Sequence, residues 1–226
     1  MKYKLDNFHP DKQKIPKHIG IIPDGTRRWA KKHNMSYFDA YMLAMNQLTD
    51  LVDNFFNYGI GIVSIYFSST QNFDRSASDV EAFCQAESNF CKDLIYDCCV
   101  KHQTKVVVAG NRSLTPPYFL QSIDYIQKKT DANRLTKLYL CVAYNPLEEL
   151  AHAFSQDKEN FLDHLWVKEP VDIVIRTDVN LLSNFLPMQS GFARLYFIEK
   201  LFNDTRLSDY MDSLEKFAKI ERAYGT

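Results

Sequence analysis

The chain predicts a single α/β domain with a mainly parallel central sheet flanked by helices. Three observations carry that expectation. Short apolar runs rich in branched or aromatic residues recur along the chain, longer stretches with helical periodicity separate them, and no repeat, low-complexity block or internal linker interrupts the alternation. Length agrees, since 226 residues with 46% hydrophobic content suffice for one substantial core. Residues 1–17 read as a polar arm and 18–226 as the domain.

The first apolar run, "HIGIIPD" (18–24), reads as a buried strand that stops at a proline and an aspartate. A helix is expected from about Thr26. Ser36 is a plausible N-cap for the clearest helix, where Phe38, Tyr41, Met45, Leu48, Val52 and Phe55 recur at steps of three and four and Gly59 closes the turn. Further strands are expected at "GIVSIYFSS" (61–69), "KVVVAG" (105–110), "KLYLCVAYN" (137–145) and "VDIVIRT" (171–177), with "ARLYFIE" (193–199) as a weaker sixth. Helices are expected over about 77–100, 116–130, 147–155 and 208–222, the first of these unusually long. Cys84, Cys91 and Cys98 recur every seven residues along that long helix, a spacing that favours core or interface packing over metal binding or a disulfide.

Composition excludes several classes. Lys+Arg number 27 against 28 Asp+Glu, so no global basic field argues for nucleic acid, and an anion must be held locally. No apolar run approaches the roughly 20 residues of a membrane span. The polar opening "MKYKLDNFHPDKQKIPK" lacks the apolar centre of a secretory signal, so the expected location is cytoplasmic. Neither G-x-x-x-x-G-K-[ST] nor G-x-G-x-x-G occurs.

Polar residues cluster at three expected strand ends: Asp24-Gly25, then Ser68-Ser69-Thr70-Gln71-Asn72 with Arg75 beyond, then Arg176-Thr177-Asp178. In parallel α/β sheets ligands bind outside the carboxyl ends of the strands, so these groups can converge on one crevice. Gly25 lets backbone approach closely, the start of the helix at Thr26 offers N–H groups, and Arg28 and Arg75 offer forked donors to phosphate. A carboxylate amid such groups makes sense if Mg²⁺ bridges Asp24 to a diphosphate. The structural alternative is that Asp24 caps the helix and the arginines form surface ion pairs. Trp29, Tyr37, Tyr41, Phe67 and Phe73 surround the crevice, either as core or as the wall of an apolar-tail pocket able to steady a carbocation.

The stretches "HIGIIPDGTRRWAKK", "GIGIVSIYFSSTQNFDRS", "VDIVIRT", "LSNFLPMQSGFARLYF" and "ERAYG" resemble the cis-prenyltransferases, the undecaprenyl diphosphate synthase family, over nearly the whole chain. The resemblance implies a homodimer, a parallel sheet, Mg²⁺, an apolar tunnel and two adjoining diphosphate subsites. By position it implies Asp24 as the Mg²⁺-linked aspartate, and Gly25, Arg28 and Arg75 as the grip on the allylic diphosphate. Arg176 and Ser183 take the second diphosphate, and Thr26, Arg27, Trp29, Tyr41, Phe67, Ser69, Asn72 and Arg194 fall at substrate-binding positions.

Departures from the family pattern are concentrated. D-G-N-G-R-W reads D-G-T-R-R-W, so Thr26 replaces an asparagine linked to proton removal. A family histidine is Tyr41, and Gln71 stands near the glutamate of S-S-E when the match is made from Gly59. Leu181 and Leu182 lie where a second arginine is expected. Arg194 occupies the place of a metal-binding glutamate, and Ala223 that of the arginine in R-x-G. These changes disfavour ordinary elongation, and "PDGTRRW" with Tyr41 is more similar to the cyclolavandulyl diphosphate synthase branch. The expected function is Mg²⁺-assisted ionisation of a short allylic diphosphate (dimethylallyl, geranyl or farnesyl), followed by irregular coupling or cyclisation. The alternative is a non-catalytic partner subunit. Arg194 is read as a substitute for metal charge, as a plug for the second subsite, or as an ion-pair partner of Asp178.

Overall fold

The structure is a computed structural model that describes residues 15–219. Six strands form one sheet: β1 (His18–Ile22), β2 (Ile62–Tyr66), β3 (Thr104–Ala109), β4 (Thr136–Cys141), β5 (Ile173–Thr177) and β6 (Arg194–Ile198). Their order is β3-β4-β2-β1-β5-β6, and every pairing is parallel. The helices are α1 (Thr26–Lys32), α2 (Tyr37–Asn57), α3 (Ala77–Asn89), α4 (Tyr96–Lys101), α5 (Pro117–Thr130), α6 (Pro146–Gln156) and α7 (Leu207–Ala218). The N-terminal arm lies almost wholly outside the described residues, as do the end of the helix expected over 208–222 and "ERAYG" with Ala223.

Both faces of the sheet are covered, which is why the strands read as continuous apolar runs. On one face Ile19, Ile21, Val63, Ile65, Leu138, Leu140, Ile173 and Ile175 meet Leu48, Val52, Phe55, Phe83, Ile123 and Tyr210 from the helices. On the other, Ile22, Tyr139, Cys141 and Val174 meet Tyr144, Val167, Phe185 and Leu186. Fully burying side chains of this size contributes roughly 1.5–3 kcal/mol each. Phe185 comes so close to β1 that a Cβ on Gly20 would lie 2.8 Å from its ring, so only glycine fits at mid-strand.

Ser36 caps α2 as expected by accepting from the Asp39 N–H, and the left-handed Gly59 follows its end. The long helix expected over 77–100 is broken instead. A π-helical turn, Phe90–Leu94, separates α3 from α4. Phe90, Cys91, Ile95, Cys98 and Cys99 are all buried across the break, so the π-helical turn keeps one face of the run on the core. The five cysteines are free and buried, in keeping with core packing.

The chain enters the sheet at β1 in its interior, builds β2, β3 and β4 to one side, and returns to place β5 and β6 on the other. The switch therefore falls between β2, β1 and β5. Their carboxyl ends diverge there and leave a crevice.

Candidate active site

A cleft of about 690 Å³ opens at that switch point. The end of β1 supplies Ile22, Pro23, Asp24 and Gly25, and α1 supplies Thr26, Arg27, Arg28 and Lys31. The end of β2 supplies Tyr66 to Ser69, followed by Gln71, Asn72 and Arg75. β5 and its loop supply Arg176, Ser183 and Asn184, and α2 closes the inner side with Tyr37 and Tyr41.

Asp24 sits at the centre of a charge network. Its Oδ2 accepts from Arg176 Nη2 at 2.8 Å, and its Oδ1 accepts from Arg28 Nη2 at 3.1 Å and from the Gly25 N–H at 2.6 Å. Thr177 fixes the backbone from below, accepting from the Asp24 N–H and donating to the Asp24 carbonyl, both at 2.8 Å. Register explains the meeting, since Ile22 lies opposite Arg176 in the β1–β5 pairing. Gly25 then turns the chain at φ 102°, where a Cβ would lie 2.8 Å from Leu201 and 3.1 Å from an Asp178 oxygen.

The cations are held in different ways. Arg176 is buried, with Nη1 donating to Ser183 Oγ and to the Leu181 carbonyl at 2.6 Å each, while its Nε has no partner among the described residues. Arg28 also pairs with Asp178, and Arg27 pairs with Asp79 at 2.9 Å. Arg75 makes no ion pair among the described residues; it lines the cleft near Tyr41, whose phenol feels its charge. Ser69 and Asn72 set its position, because Asn72 accepts from the Ser69 N–H at 2.9 Å and so closes the tight turn before Arg75. Burial pushes the Tyr41 phenol up to about 12 and that of Tyr66 likewise. Tyr41 is thus a neutral hydroxyl near neutral pH, not a ready base.

Two residues expected at the site lie elsewhere. Trp29 is not part of the cleft wall. Its indole donates to Asp204 at 2.7 Å and its ring stacks on His33 at 4.1 Å. Arg194 opens β6 opposite Ile173, three residues before the level of Arg176. It lies roughly 10 Å toward the amino end of the sheet at ~3.3 Å per residue, and it is exposed. The ion pair considered between Arg194 and Asp178 is absent, since Asp178 engages Arg28.

Lys31, Tyr66 and Asn184 join the cleft without having been singled out from the sequence. Lys31 had a signal, since it stands four and three residues after Arg27 and Arg28 on one helical face. Glu87 lies behind the wall on α3, where burial holds its carboxyl well above the usual carboxylate range. It too had a signal, falling four residues after Phe83 and four before Cys91 on the buried side of α3.

A parallel α/β sheet with a cationic crevice at its switch point, one central carboxylate and an aromatic inner wall defines an enzyme-like site for a phosphorylated, partly apolar ligand. Comparison with known proteins gives that class a family. The family described as "Putative undecaprenyl diphosphate synthase" matches residues 22–225. A tritrans,polycis-undecaprenyl-diphosphate synthase (geranylgeranyl-diphosphate specific) of Thermoplasma acidophilum is 29% identical, over 93% of this chain and 89% of that protein. An isoprenyl transferase of Rickettsia typhi is 28% identical, over 92% and 97%. Among solved structures, lavandulyl diphosphate synthase from Lavandula x intermedia in complex with dimethylallyl diphosphate superposes with a TM-score of 0.89 at 26% identity, covering 95% of this chain and 100% of that one. The chain belongs to the undecaprenyl diphosphate synthase family, the cis-prenyltransferases.

Proposed function

We propose that the protein ionises a short allylic diphosphate of the dimethylallyl, geranyl or farnesyl class and couples or cyclises the resulting cation, rather than building a long polyprenyl chain. The observation that carries this is the Asp24 cluster. One carboxylate is gripped by Arg28 and Arg176, and Arg75 brings to the same cleft a guanidinium with no ion pair among the described residues. Loss of diphosphate places developing negative charge on the leaving oxygens, and preorganised guanidinium groups stabilise that change most when they already point there. Arg75 and the free Nε of Arg176 are the donors for it, with Arg28 and the Arg176 fork able to move from Asp24 to phosphate.

Asp24 fits Mg²⁺. It is a hard oxygen donor, partly open to the cleft, and Mg²⁺ is commonly held by one or two carboxylates together with substrate phosphates. When bound, the ion would supply positive charge to the departing diphosphate. The neutral rings of Tyr41, Tyr66 and Phe67 flank the carbon side, where aromatic faces stabilise a cation. Short substrates are favoured because the wall behind them is filled: Tyr41 meets Phe83 at 6.3 Å, Phe67 meets Phe90 at 5.1 Å, and Phe73 meets Phe83 at 5.3 Å. The structural likeness to a lavandulyl diphosphate synthase points the same way. A second copy of the chain would cover the edge strand β6, where Leu195 and Phe197 are exposed beside an 89% exposed Phe192.

Incubation with Mg²⁺ and dimethylallyl, geranyl and farnesyl diphosphates, alone and in pairs, tests this by mass spectrometry. Diphosphate release with a branched or cyclic short product is expected, and Asp24→Ala should lower kcat/KM by roughly 10²–10³-fold. No release from any substrate, or long polyprenyl products, would contradict the reading.

A further inference from the structure

Among the described residues, a sulfur, a nitrogen and an oxygen donor come together outside the cleft. Cys98 Sγ, His102 Nε2 and an Asp53 carboxylate oxygen all lie within 4.8 Å of one another. Local structure explains the meeting. The His102 N–H donates to the Cys98 carbonyl at 3.0 Å, so the two residues stand one helical turn apart on the same face at the end of α4. That face meets α2, where His102 Nε2 lies 2.8 Å from Asp53 Oδ1. The surroundings hold the three groups in place. Asn57 donates to Asp53 Oδ2 at 3.0 Å, the His102 ring lies 5.4 Å from that of the buried Phe56, and Cys98 is 6% exposed. Lys101 takes the open side, with Nζ donating to the two Asp53 oxygens at 2.8 and 2.9 Å, and its side chain is half exposed. The cluster thus already holds a cation, on a side chain able to swing into solvent.

We infer that Asp53, Cys98 and His102 form a binding site for a zinc-like divalent metal ion, which ties α2 to α4 and displaces the Lys101 ammonium. Thiolate, imidazole and carboxylate are the donors that zinc takes, in tetrahedral array at about 2.0–2.3 Å, with water in a position left open. Such an array sets its donors about 3.3–3.6 Å apart. The spacings here, from 2.8 Å up to 4.8 Å, fall on either side of that value. The donor set does not suit Mg²⁺, which prefers oxygen ligands throughout. Binding breaks the contacts of Asp53 with Lys101 and His102 and forms bonds from the metal to Oδ1, Nε2 and Sγ. The Cys98 thiol proton leaves to solvent, and the thiolate and the Asp53 carboxylate together neutralise the ion. Asn57 stays on the second carboxylate oxygen, the kind of outer support that orients a ligating carboxylate. Asp53 stands 12 residues beyond Tyr41 on α2, roughly 18 Å along the helix at about 1.5 Å per residue, so the site is separate from the Asp24 cleft.

Co²⁺ is the probe, because a cobalt–thiolate bond and a tetrahedral cobalt ion each absorb distinctively. Titrated into the full, reduced, metal-free chain, Co²⁺ should raise a thiolate-to-cobalt charge-transfer band in the near ultraviolet together with intense visible bands, and Zn²⁺ should bleach both. Cobalt held by the Asp24 carboxylate in the cleft has only oxygen donors and gives no charge-transfer band. Cys98→Ser should abolish that band. His102→Gln should weaken Zn²⁺ binding by at least about tenfold, since even changes in the outer support of a ligand cost about that much. Lys101→Ala replaces a half-exposed side chain, keeps the fold, and should tighten Zn²⁺ binding by removing the competing cation. The inference is overturned by a wild type that shows no charge-transfer band, by a band that survives Cys98→Ser, or by equal Zn²⁺ affinity of wild type and Lys101→Ala. None of these outcomes touches the diphosphate site, which stands or falls on its own test.

Discussion

His18 and Arg194 show how differently single residues declare themselves. His18 opens β1 and is 1% exposed, with one ring nitrogen 2.7 Å from Ser64 Oγ and the other 3.1 Å from the Pro170 carbonyl. Burial outweighs the nearby acids and pulls its pKa down to about 4. The unfolded chain therefore binds a proton between pH 6.5 and 4 that the native state refuses, and stability falls as pH falls through that window, by up to about 3 kcal/mol. Thermal unfolding of wild type should lose stability on acidification from pH 6.5 to 4, and His18→Gln should remove most of that slope; equal slopes would contradict the assignment. Nothing in the one-letter pattern announced this, because "KHIG" reads equally well as a strand edge. Asp24, Gly25, Arg28, Arg75 and Arg176 were legible because charge at the end of an apolar run is poor packing chemistry. Arg194 misled for a related reason. Alignment placed it by motif, whereas the β5–β6 register puts it at the opposite end of its strand from the cleft. Position in a motif does not report which end of a strand a residue occupies.

At the scale of elements, strand and helix alternation was readable because buried parallel strands and amphipathic helices leave distinct periods. The π-helical turn was not. Its signal is a one-residue phase change, and helical spacing tolerates that within the width of a buried stripe. Phe90, where the turn begins, packs its ring 5.1 Å from Phe67 on the inner wall of the cleft. Phe90→Ala should cost about 3–5 kcal/mol, the usual range for emptying a buried phenylalanine site. The surviving folded protein should accept a longer allylic tail than wild type. Chemical denaturation and competition between geranyl and farnesyl diphosphates measure the two effects, and unchanged chain-length preference at the expected loss of stability would mean that Phe90 does not bound the cleft. α4 is tied independently to α2, where Asp53 accepts from Lys101 and His102, both at 2.8 Å, so damage at Phe90 should stay local.

At the scale of the whole molecule, topology makes the site. Starting the chain in the middle of the sheet brings residues 24, 75 and 176 together across long sequence separations, which no local motif alone could show. Among the described residues the parallel edge strand β6 is open and carries exposed apolar side chains, a surface that proteins normally cover. A second copy is the proposed cover. Light scattering should give the mass of a dimer, Leu195→Glu with Phe197→Glu should give a monomer, and a monomeric wild type would contradict it. The central claim concerns the cleft itself. A crystal structure with Mg²⁺ and the non-cleavable thiolodiphosphate analogue of dimethylallyl diphosphate tests it most directly. The account predicts the diphosphate within hydrogen-bond distance of Arg28, Arg75 and Arg176, with Asp24 on the ion and the isoprenoid carbons toward Tyr41 and Phe67. A diphosphate bound elsewhere, with Arg28 and Arg176 still clasping Asp24, would contradict it.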